Sequence, residues 1–150
     1  MQATNEYQRA YASLESYGVF ASGTLGKSMW PLFREGKDIV FIRKNDTPPR
    51  KYDVVLYRRA EKCVLHRVIG RDGDVYLIRG DNTYATEHIP SVEILGVLME
   101  FDREKKHYTV DDRGYKIYSV CWTFIYPLRY ALFFLRSFSS KLYHKFFSKK

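Results

Sequence analysis

The segment GTLGKSMWPLF, residues 23–33, holds a serine open to two kinds of chemistry. Gly26-Lys27-Ser28 could close a phosphate-binding loop, or Ser28 could be a nucleophile at the mouth of a cleft. A phosphate loop needs a glycine five residues before the Gly-Lys-Ser, and a helix opening at the lysine. The chain has Ala21 at the first place. Pro31 would fall inside the first turns of such a helix, where it lacks an N–H and restricts Trp30 to extended geometry. The nucleotide reading fails, and the nucleophile reading is left to find its partners.

A serine hydroxyl attacks well only when a base takes its proton in the transition state. Among the four histidines, His107 follows a charged turn, His144 lies in the basic tail and His88 is expected in a polar loop before Pro90. His66 differs, since it stands inside the apolar run CVLHRVIG, where it reads either as a satisfied core histidine or as a base. A base histidine is normally oriented by an acid. The segment RGDNTYATEH offers two, Asp81 and Glu87, and residue types alone leave the choice open. Cys63 and Cys121 read as buried thiols without zinc-ligand spacing, so neither metal nor cofactor is expected.

These groups must be carried by a β framework. Residues 4–17 have tyrosines, alanine and leucine at three- and four-residue spacing and predict a short N-terminal helix. From residue 18 to about 110, short apolar stretches alternate with turn chemistry, Asp72-Gly73 being a strong hairpin signal. The fold class is therefore mainly β. Residues 1–114 hold 18 Lys/Arg and 17 Asp/Glu, whereas 115–150 hold seven Lys/Arg and no acid. The net charge of +8 thus belongs to the tail, which argues against nucleic acid as a partner of the body. Residues 1–18 lack an apolar signal core. The tail predicts a basic amphipathic helix with an aromatic apolar side, and its clean apolar run from Ile117 to Leu128 is short of a bilayer span. Residues 1–114 are expected to be the β domain, with its core at 18–110, and residues 115–150 a lipid-associating segment.

Four boxes, GKSMWPLFREGKDIVFI, KYDVVLY, VLHRVIG and IRGDN, come in an order that resembles the signal peptidase I superfamily of S24- and S26-like serine peptidases, which also includes LexA-like self-cleaving repressors. The resemblance runs from about Gly23 to Val97. Bacterial signal peptidases and LexA-like proteins have a lysine at the base position, whereas this chain has His66, as the endoplasmic-reticulum and archaeal type does. What the resemblance implies is a compact signal-peptidase-like β domain, with Ser28 as nucleophile, His66 as general base and Asp81 of the Gly-Asp-Asn box as a catalytic acid. Glu87 stands where that type carries a second acid, an aspartate. Met29 and Pro31 are implied as cleft wall; Asp38 and Asp53 match boxes of that family, but the turn preference of aspartate favours turn or structural roles for both. Arg67 fits a surface ion pair equally well.

The implied activity is serine endopeptidase cleavage of leader or signal peptides from precursor proteins. Two alternatives are a LexA-like domain that cleaves itself or a partner, and an inactive β module tethered to lipid. The first lacks the lysine base, and the first 20 residues cannot hold a helix-turn-helix. Residues 1–18 do not read as the N-terminal membrane anchor usual in signal peptidases, so membrane association is expected through the tail. An interfacial tail would put the enzyme on the cytoplasmic face.

Overall fold

Short apolar stretches punctuated by turns produce eight strands in one antiparallel sheet. The computed structural model describes residues 6–135. In chain order the strands are β1 (Val19–Gly23), β2 (Ile39–Lys44), β3 (Val54–Arg59), β4 (Lys62–Asp72), β5 (Val75–Arg79), β6 (Glu87–Pro90), β7 (Ile94–Arg103) and β8 (Lys106–Thr109). Their order in the sheet is β1-β2-β7-β3-β4-β5-β6. Strand β8 pairs with the last residues of β7, on from the stretch of β7 that β3 occupies. Helix α1 (Glu6–Tyr17) precedes the sheet and buries Ala10 and Leu14 against it.

Strand β3 shows why the sheet needs cover on both sides. Val54 and Leu56 join a core with Phe20, Met29, Phe33 and Phe101, whereas Val55 and Tyr57 join a second core with Val68, Tyr76 and Ile78. Two layers of apolar packing therefore meet on one strand, and successive side chains serve opposite layers. The same alternation in β4 sends His66 to the side of Val64 and Val68, and Arg67 to the opposite side with Leu65. The β4–β5 hairpin turns at Gly73, whose φ of +55° is the left-handed conformation that glycine adopts freely.

After β8 the chain forms α2 (Arg113–Phe124), and residues 126–135 are again helical. Pro127 falls in the first turn of that second segment, where a missing N–H costs nothing. The rest of the expected tail helix, from residue 136 on, lies outside the described residues. Among the described residues no helix is long and apolar enough to cross a membrane.

Three local expectations are corrected. His88 is in the short strand β6, because β5 offers a free edge that EHIP can pair with. Cys121 is exposed on α2 and Cys63 is half-buried. Arg67 is among the most deeply buried side chains, 1% exposed, and not a surface group.

Candidate active site

Ser28 lies in the connection between β1 and β2, which is pinned from several directions. Met29, Leu32 and Phe33 are buried in the first core, and the Phe33 N–H closes a helical turn on the Met29 carbonyl at 3.0 Å. The buried carboxylate of Asp38 accepts the Arg34 N–H at 2.8 Å and binds its guanidinium at 2.6 Å. Thr24 Oγ1 donates to the Arg34 carbonyl at 2.7 Å. These bonds fix the segment's shape and leave Ser28 half-exposed at its tip. Asp38 is structural, and Asp53 accepts the Arg50 N–H in the turn before β3.

His66 faces a group of polar side chains that the sheet register assembles. Val55 pairs with His66, so Tyr57 lies two residues along the same face. Ile78 pairs with Glu87 on the other side of β5, which brings the β6 carboxylate across. Tyr57 Oη donates to Glu87 Oε1 at 2.8 Å, and His66 Nδ1 lies 3.1 Å from Tyr57 Oη and 3.2 Å from Glu87 Oε1. Arg59 binds Glu87 Oε2 at 3.1 Å. Because the tyrosine proton is committed to the carboxylate, the Nδ1 contacts are satisfied by an Nδ1–H donor, which leaves the lone pair on Nε2. Nε2 is buried and has no hydrogen-bond partner among the described residues.

Charge follows from these contacts. Burial pushes the His66 imidazole below its ordinary 6.5; the Glu87 charge opposes this, and Arg59 reinforces it. Burial also works against the Glu87 charge, but the Tyr57 hydroxyl and Arg59 outweigh it and hold the carboxyl low. The pair at neutral pH is thus a neutral imidazole with a free Nε2 lone pair beside a carboxylate.

Gly80 closes the arrangement. A Cβ at this position would stand 2.7 Å from the Ser28 carbonyl oxygen and 2.9 Å from His66 Nε2. One small volume is therefore bounded by the backbone of the serine and the free nitrogen of the histidine, and only glycine leaves it open. The next residues grip the serine segment, Asn82 donating its N–H to the Ser28 carbonyl at 2.7 Å and its Nδ2 to the Lys27 carbonyl at 3.1 Å. Gly80→Ala is expected to keep the fold and lower any Ser28-dependent cleavage about 10²-fold, since displacement by a fraction of an ångström disrupts reactive geometry. Cleavage rate measured beside the thermal midpoint checks this.

Asp81 does different work from Glu87. Its carboxylate binds the Arg67 guanidinium through two bonds, 2.8 and 2.7 Å, and accepts Tyr118 Oη at 2.8 Å. Burial opposes the Arg67 charge, and the paired carboxylate restores it. The Asp81 carbonyl accepts Trp122 Nε1 at 2.9 Å and Arg129 at 2.8 Å. Glu87 is the acid on the histidine, and Asp81 anchors the loop that carries Gly80 and Asn82.

Ser28, Met29 and His66 line one cleft of about 480 Å³, with Phe20, Leu56 and Arg59 among its other walls. That volume suits a short peptide segment. Pro31 is not part of this wall. It borders a separate cavity beside Phe101 and Tyr108, and its carbonyl accepts Arg103 at 3.2 Å. Among the described residues no cluster of three or more His, Cys, Asp or Glu is placed to hold a metal ion.

The model of the Peptidase S24-like family matches residues 3–99, about two thirds of the chain. The chain belongs to the S24-like peptidase family. None of the curated proteins matches it. The S24-like match spans every residue of the Ser28–His66–Glu87 arrangement and ends within β7, so α2 and residues 126–135 lie beyond it. The family is one of serine peptidases, and this member has the mainly β fold expected from its strand pattern.

Sequence reading missed Tyr57, Gly80 and Asn82. Tyr57 carried one usable signal: it shares a strand face with Val55, the register partner of His66. Gly80 and Asn82 were visible only as parts of the Gly-Asp-Asn box.

Proposed function

We propose that the chain is a serine endopeptidase that removes leader or signal peptides from precursor proteins, with a histidine rather than a lysine as its base. The observation that carries this reading is the His66 ring. One nitrogen is held by Glu87 and Tyr57, and the other is free over the volume next to Ser28.

In the proposed reaction Ser28 Oγ attacks the scissile carbonyl while its proton passes to His66 Nε2. Glu87 stabilises the imidazolium through Nδ1–H. The oxyanion accepts the Ser28 N–H, a donor fixed by the pinned loop. Collapse breaks the peptide C–N bond as Nε2 returns the proton to the leaving amine, leaving an ester on Ser28. A water activated by the same nitrogen hydrolyses that ester. The substrate lies extended along β1, the end of the sheet order, where backbone hydrogen bonds supply affinity and the apolar cleft selects side chains.

The pH dependence follows from the direction of the His66 shift. Neutral imidazole is the active form, so kcat/KM falls on the acid side with an apparent pKa below 6.5. Glu87→Gln removes a charge that raises the imidazole pKa. The variant is expected to lose about 10²-fold in rate and to move its acid limb to still lower pH. A pH–rate profile checks both, and a limb that stays in place would give Glu87 a structural role only.

The S24-like membership favours one other reading, self- or partner-cleavage. Incubation with a leader-bearing precursor separates the two. The proposal expects one cut at the leader boundary, first order in enzyme. An intact precursor together with concentration-independent loss of the chain itself would establish self-cleavage instead.

A further inference from the structure

We propose that the outer face of the two C-terminal helices is a docking surface for an anionic lipid bilayer. Ile117, Val120, Phe124, Leu128, Leu132 and Leu135 follow one another at three- and four-residue spacing and are all exposed, Phe124 by 83% and Leu128 by 63%. Isolated exposed apolar residues are ordinary, but a continuous stripe of this length on two successive helical segments marks an interaction surface.

The inner face excludes the simplest alternative, that this stripe packs on the β domain. Arg67 donates to Ser119 Oγ, Tyr118 and Trp122 donate to Asp81, Tyr126 Oη donates to the Tyr84 carbonyl and Arg129 to the Asp81 carbonyl. Tyr84 also stacks on Phe133 with ring centres 4.3 Å apart. These bonds fix the rotation of both segments, so the apolar stripe is turned outward by design of the opposite face.

Charge selects the occupant. The chain continues for fifteen residues after Leu135, and they contain Arg136, Lys141, Lys145, Lys149 and Lys150 and no acid. A second copy of this chain would bring the same positive charge to the interface. An anionic leaflet complements it, each cation strengthening attachment roughly fivefold. Aromatic and leucine side chains beside lysines are the composition of helices that lie in the lipid interface. The bilayer is therefore the favoured partner, with the helices lying on it.

Flotation of the full chain with vesicles tests the proposal. Binding is expected to vesicles half phosphatidylglycerol, with little to pure phosphatidylcholine, and to weaken in high salt. The triple variant Phe124→Glu, Leu128→Glu, Leu132→Glu should lose more than tenfold in partitioning at an unchanged thermal midpoint. If that variant is unfolded, the variant Lys141→Gln, Lys145→Gln, Lys149→Gln, Lys150→Gln replaces it, with at least a tenfold loss on anionic vesicles. Variant binding equal to wild type overturns the proposal. So does a wild-type chain that ignores both vesicles and forms a dimer dissociated by the triple variant, which would make the stripe a self-interface.

Discussion

Replacing His66 with alanine is expected to lower precursor cleavage by about 10⁴-fold or more while the protein stays folded. The ring is buried and touches Tyr57 and Glu87, but its Nε2 makes no bond whose loss would cost stability. Ser28→Ala should cost about as much, and the double variant hardly more than either single one. Groups that act in one proton transfer are not additive: once the base is gone, the hydroxyl has nothing to give its proton to. Rates for the two single variants and the double variant, beside circular dichroism of each, check this. Independent, multiplying losses would mean that the two residues do not share a step.

Asp81→Ala should have the largest effect on stability. Its side chain and that of Arg67 are 2% and 1% exposed, and they meet at 2.7 Å. Removing one partner strands a buried charge and costs about 3–5 kcal/mol. For a domain whose whole stability is about 5–15 kcal/mol this is a large fraction. The thermal midpoint should fall by roughly 10 °C or more. Activity should fall as well, because Asp81 holds the loop whose neighbours Gly80 and Asn82 shape the serine site. Replacing Arg67 and Asp81 together by leucine-sized apolar residues should recover part of the stability and little of the activity. Recovery stays partial because Arg67 also serves Tyr52 and Ser119, and Asp81 also serves Tyr118. Melting curves of the single and double variants test this, and an unchanged midpoint in Asp81→Ala would contradict it.

Most strands were legible because short apolar runs and the turn residues between them are local signals. The residues expected to form β4, CVLHRVIG, do so, and Asp72-Gly73 makes the hairpin after it. Strand β6 was not legible, since EHIP is short, half polar and ends in proline; only the edge of β5 makes it a strand. Arg67 looked like a surface residue because its partner is fourteen positions away. Counting back from the Asp72-Gly73 turn would set Arg67 opposite Gly80, beside Asp81, but the bulge between Val68 and Gly70 shifts that count by one and pairs Arg67 with Arg79. The choice between Asp81 and Glu87 was open for the same reason. It depends on which strand face each acid reaches, and the β5–β6 pairing decides it in favour of Glu87 on the histidine.

In the proposed mechanism, folding makes the Ser28 hydroxyl a nucleophile through His66. A fluorophosphonate probe reads this directly, since Oγ, giving its proton to the base, displaces fluoride and keeps the phosphonyl group as a covalent ester. Peptide mapping by mass spectrometry is predicted to find that adduct on Ser28, formed more slowly as pH falls below the imidazole pKa and absent from folded His66→Ala. A folded wild-type chain left unlabelled at Ser28, or equal labelling in the His66→Ala variant, would contradict it.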